Sequence, residues 1–135
     1  MSSGGGPGTT VDRLAGLLAA VGEVADRDAE SVVVLLGRTR ASVRVLELAE
    51  ELVIVAVTQL VALNLPNTAE LRDDVESADA RLNFGSLRRS DPDGVTTDVL
   101  LYYSFPYGEL ADLPLLTLLH LVLSAGADVA GALVG

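Results

Sequence analysis

The chain contains no cysteine, no lysine and a single histidine. Without cysteine there are no disulfides and no thiolate metal ligands, which fits a reducing compartment. Positive charge is scarce: nine arginines stand against nineteen acidic residues, for a formal net charge of −10. A nucleic-acid binder needs a positive field to neutralise phosphates, so nucleic acid is not expected as a partner. An anionic membrane surface is disfavoured for the same reason. Aromatic residues are few, and all but Phe84 fall between Tyr102 and Tyr107. The start MSSGGGPGTT has neither the basic end nor the apolar run of a signal peptide, and GGGPG lacks the Lys-Ser/Thr ending of a phosphate loop. Residues 1–10 read as a flexible Gly/Ser-rich tail.

What remains is a chain of 135 residues, half of them hydrophobic. That suits one domain, over residues 11–135, with a continuous core and no disordered bulk. Residues 113–135 are long and apolar enough to raise a transmembrane reading. They contain Pro114, His120, Ser124, Asp128 and three glycines, with no basic flank to set a topology. A core helix packed on two sides is expected instead, and no membrane.

Val11, Leu14, Leu18, Val21 and Ala25 have helical spacing, with Thr9 and Asp12 available at the start. Three runs rich in β-branched residues follow: Ser31–Arg38, Ala41–Leu48 and Glu51–Leu63. The last is apolar on both faces, which predicts a central strand covered on both sides. Short links imply antiparallel hairpins. Asn67, with Glu70 three residues on, predicts a cap for a helix carrying Leu71, Val75, Ala78 and Leu82, ended by Gly85. Ser86–Phe105 reads as a second hairpin turning at Asp91-Pro92-Asp93-Gly94. A third helix runs from about Leu113. The predicted fold is α+β in the order α-β-β-β-α-β-β-α, with a five-stranded antiparallel sheet packed with helices.

Leu82-Asn83-Phe84-Gly85-Ser86-Leu87, the DPDG turn, and Val99-Leu100-Leu101-Tyr102-Tyr103-Ser104-Phe105-Pro106 carry a family likeness. With the element order, they resemble the YbjN family and the type III secretion chaperone-like proteins of the CesT/SycE and TY-Chap kind. An all-arginine basic set among abundant Ala, Val, Leu and Gly fits a high-GC bacterial branch, the actinobacterial one included. The resemblance implies a cytoplasmic, homodimeric, non-catalytic domain that binds a protein or peptide client. On that basis Leu87, Arg88, Arg89, Leu100, Tyr102, Tyr103 and Tyr107 are the candidate client-binding residues. Leu71, Val75, Leu82 and Phe84 are the candidate dimerisation residues.

Catalytic motifs are weak. His120 lies among leucines, which predicts a packed core or interface residue rather than a general base. In the acidic set Asp73, Asp74, Glu76 and Asp79, Asp73 shares a helical face with Glu76 and Glu76 with Asp79, without a histidine, as on a solvated surface, so neither metal nor cofactor is expected. DPDG fails as a calcium loop, because its glycine comes early and Tyr102 stands where the closing glutamate belongs. Along the aromatic strand, Tyr103 and Phe105 face one side, and Tyr102 and Ser104 the other. One side is core, and the opposite side is either plain surface or a contact surface. The function expected is client holding. The alternatives are a structural or regulatory domain with one fixed partner and, more remotely, an enzyme with an unrecognised site.

Overall fold

The computed structural model describes residues 7–134. The elements are α1 (Pro7–Leu18), β1 (Glu23–Arg27), β2 (Ser31–Leu36), β3 (Thr39–Ala49), β4 (Leu52–Pro66), α2 (Ala69–Arg81), β5 (Ser86–Arg89), β6 (Thr96–Pro106) and α3 (Asp112–Val134). The class is α+β, as the sequence predicts, with one more strand than expected. The six strands form one antiparallel sheet in the order β1-β2-β3-β4-β6-β5.

The extra strand is β1. Its side chains are exposed except for a half-buried Val24, so it has no apolar alternation by which to be recognised. Backbone pairing with β2 defines it. The expected first helix therefore ends early, at Leu18, and Gly22 takes the chain across into β1. A Cβ at Gly22 would collide with the Leu35 carbonyl, so glycine is what lets the backbones approach. At its other end α1 begins at Pro7, so residues 7–10 belong to the helix and not to a tail, and Thr10 is buried. The rest of the expected tail, residues 1–6, lies outside the described residues.

All three helices lie against one face of the sheet. Alternation along the strands sends Val32, Val34, Val43, Val45, Val55 and Val57 to that side, where each is at most 2 % exposed. Leu14, Leu18, Leu115, Leu119 and Leu123 meet them from α1 and α3. Each such fully buried side chain contributes on the order of 1.5–3 kcal/mol by removal from water. The N-cap of α2 is Thr68 rather than Asn67; its hydroxyl accepts from the Leu71 N–H at 3.0 Å. Asn67 instead fastens the DPDG turn. Its Nδ2 donates to the carbonyls of Asp91, Pro92 and Gly94, and its Oδ1 accepts from Arg89 at 2.7 Å.

Two predictions about covering are overturned. α3 buries one side only; Leu113 and Leu121 are 72 % and 51 % exposed, and His120 is also exposed, so it is not a core histidine. Over Asp112–Leu133 the helix is long and apolar enough to span a bilayer, yet its buried side chains pack into the domain core. The second concerns β4. It is central, between β3 and β6, but Ile54, Ala56, Thr58 and Leu60 are only half-buried because no element among the described residues lies over the sheet on that side.

Candidate functional site

The uncovered sheet face is an ordered array. One row across the strands reads Leu35, Arg40, Leu60, Leu100, Arg88. The next reads Val33, Ser42, Thr58, Tyr102, Ser86, and a third Ser31, Arg44, Ala56, Ser104. Leu46 and Ile54 extend the apolar surface toward the β3–β4 hairpin tip, where Leu48 and Leu52 are 64 % and 43 % exposed. Half-buried aliphatic side chains thus run across the face, with arginines set among them. Arg40 and Arg88 occupy one row three strand spacings apart, about 14 Å, and Arg40 and Arg44 lie four residues apart on β3, about 13 Å.

These arginines are held loosely. No ion pair is found for Arg40, Arg44 or Arg88 among the described residues. Arg88 lies over the ring of Tyr102, 5.5 Å from its centroid, an attraction that leaves the guanidinium fork free. Arg44 is close enough to help lower the pKa of Asp28, although backbone N–H donation from Glu30 is the main cause. By contrast, Arg13 is fully used. It donates to Asp112, to the Tyr107 hydroxyl and to the Leu110 carbonyl at 2.7, 2.6 and 2.6 Å, and the first two bonds raise its pKa.

The structure divides the candidate client-binding residues. Arg88, Leu100 and Tyr102 meet on the open face. Leu87 is buried on the helix side, so it is core rather than contact surface. Tyr103 is half-buried there too, stacked on Phe105 and edge-on to Phe84. Tyr107 is taken up by Arg13, and Arg89 by Asn67. Among the candidate dimerisation residues, Leu71 and Val75 are 8 % and 5 % exposed and spend their apolar area inside the domain. Leu82 is half-buried, and Phe84 alone presents a large surface, at 38 % exposed.

Sequence reasoning missed Arg40, Arg44, Thr58 and Leu60, which come from strands it identified. Alternation assigns each strand two faces but not which of them stays uncovered. It also missed a groove of about 570 Å³ where α2 diverges from α3, lined by Ala78, Leu82, Ala125 and Val129 with Arg81 and Asp128. A smaller recess of about 280 Å³ beside it brings in Phe84 and Leu121. Among the described residues, no three His, Asp or Glu side chains stand together as a metal site. Asp79, from the acidic set on α2, accepts the Leu87 N–H at 2.8 Å.

An antiparallel sheet with helices on one face and the opposite face open defines an α+β fold of the YbjN type. The chain is similar to the crystal structure of YbjN, described as a candidate transcription regulator from E. coli, with a TM-score of 0.58 at 10 % identity over 88 % of this chain and 87 % of that one. At that identity the likeness concerns the fold alone. No family model and no curated protein matches the sequence.

Proposed function

We propose that this domain is a non-catalytic, chaperone-like module that holds an extended segment of a client protein on its open sheet face. The carrying observation is the mismatch in β4, whose apolar pattern asks for cover on both sides while the fold supplies it on one. Half-buried Ile54 and Leu60 on that face, with Tyr102, Leu48 and Leu52 exposed, offer apolar contacts to a partner. Arg88, Leu100 and Tyr102 fall on it together, which favours the client-binding role expected for them. The sequence resemblance to type III secretion chaperone-like proteins points the same way, while the solved neighbour supports the YbjN-like fold alone. The four-residue edge strand β5 offers the end of the sheet for strand addition.

The functional form in this proposal is a cytoplasmic homodimer. Because Leu71 and Val75 are spent in the core, the dimer contact is assigned to Phe84 and Leu121 in the smaller recess beside the α2–α3 groove. The E. coli neighbour is described as a candidate regulator. A regulatory role here would run through a protein partner, since a chain of net charge −10 opposes contact with phosphates.

The test is selection from a displayed library of linear peptides. Wild-type protein enriches binders, and Leu60→Asp and Leu100→Asp variants, altered at half-buried positions, lose them while keeping their fold by circular dichroism. Failure to enrich any binder, or undiminished binding by both variants, contradicts the proposal.

A further inference from the structure

Beyond the presence of a client lies its chemistry. The chain has nineteen acidic residues and nine arginines. Three of those arginines, Arg40, Arg44 and Arg88, stand on the open face without an ion pair among the described residues, although Arg44 acts at longer range on Asp28. Acidic side chains near that face keep to its margins: Glu23 and Asp26 on β1 pair beside Leu35 and Val33, Asp28 follows β1 and acts on Arg44, and Asp98 is at the far end of β6. Asp98 is also occupied, accepting from the Asn64 N–H. The centre of the face is therefore locally positive and aliphatic within a strongly negative protein.

Two accounts could explain such arginines. Solubilising an exposed apolar face needs charge of either sign, and on the rest of this surface carboxylates outnumber arginines. Arginine differs in offering a planar fork that binds carboxylates in two-point fashion and tolerates apolar surroundings. Leu60 and Leu100 lie between Arg40 and Arg88 in the same row, so the surface alternates guanidinium and aliphatic contacts. We infer that the client segment is acidic and amphipathic, lying across the face with its apolar side chains on Leu60, Leu100 and Tyr102 and its carboxylates on Arg40, Arg44 and Arg88. This inference rests on the client-holding reading and specifies its partner.

The net charge makes the test sharp, because the global field and the local face predict opposite preferences. The probe is a fluorescein-labelled peptide of alternating leucine and glutamate, compared with versions carrying glutamine or lysine in place of glutamate, and read by fluorescence anisotropy. The glutamate peptide binds most tightly, and its affinity falls as salt is raised. R40Q, R44Q and R88Q each weaken it by roughly two- to fivefold, and the triple variant removes the preference over glutamine. R72Q, on the far side of the molecule, leaves affinity unchanged. Circular dichroism shows that the exposed substitutions keep the fold. Tighter binding of the lysine peptide, or equal binding of all three, overturns the inference while client holding stands. Binding of none overturns both. A dimer dispersed by R88E in sedimentation, with no peptide bound, assigns the face to a second copy and likewise overturns the inference.

Discussion

Gln59 on the central strand donates its side-chain N–H to the Leu123 carbonyl of α3 at 3.0 Å, while Gly126 packs against the same amide. Gln59 is fully buried, and its second Nε2 bond goes to the Thr39 hydroxyl at 2.8 Å. Its Oε1 has no hydrogen-bond partner among the described residues, so the amide is fixed from one side by bonds and from the other by packing. A Cβ at position 126 would fall inside the amide. Gly126→Ala is therefore expected to lower stability by about 1–3 kcal/mol through overpacking. Gly131→Ala, in the same helix with open space around it, should raise stability by up to about 1 kcal/mol. Urea denaturation of the two variants makes the comparison.

Arg13 ties α1 to the start of α3. Tyr107→Phe removes one hydrogen bond to a charged donor and should cost about 1.5 kcal/mol. Asp112→Asn should cost less than about 1 kcal/mol, since that carboxylate is 73 % exposed. The Arg13 pKa is raised by Tyr107 first and Asp112 second. Its contribution is thus complete below the ordinary arginine value and lost only as pH rises through the higher folded value. Thermal melts from mildly acidic to mildly alkaline pH should show no change in the cost of Tyr107→Phe.

Asp28 gives the opposite pH dependence. Its carboxylate accepts the Glu30 N–H at 2.7 Å and the Ser31 N–H at 2.9 Å, which lowers its pKa, the Glu30 bond foremost. A depressed folded pKa adds stability above the ordinary carboxylate value and loses it as pH falls through the folded value. Asp28→Asn should be less stable than wild type at neutral pH, and the difference should close on acidification. Melting curves taken across the acid limb check this.

The proposed dimer contact is tested by Leu121→Ser. Leu121 is 51 % exposed, so the substitution leaves the core intact. Sedimentation velocity should show a dimer for wild type and a shift toward monomer for the variant. A wild-type monomer, or a dimer indifferent to the change, counts against the assignment.

The fold was legible wherever burial leaves a periodic trace. β2, β3, β4 and β6 announce themselves by β-branched runs, and α2 by Leu71, Val75 and Ala78. β1 was not, because an exposed edge strand such as Glu23–Arg27 is made by its partner's backbone rather than by its own side chains. Of the candidate residues, Leu100 and Tyr102 on β6 and Arg88 on β5 share the open face, whereas Leu87, Leu71 and Val75 are buried, because apolar spacing does not say what the apolar side packs against. Arg40 and Arg44 join Arg88 only through the register of four strands, which no local pattern encodes.

The central claim is that the open sheet face holds the client. Amide chemical-shift mapping with a selected peptide tests it most directly. Perturbations are expected at Ser42, Thr58, Leu60, Leu100 and Tyr102, on β3, β4 and β6. Perturbations confined to the α2–α3 groove, with these strands unchanged, would contradict it.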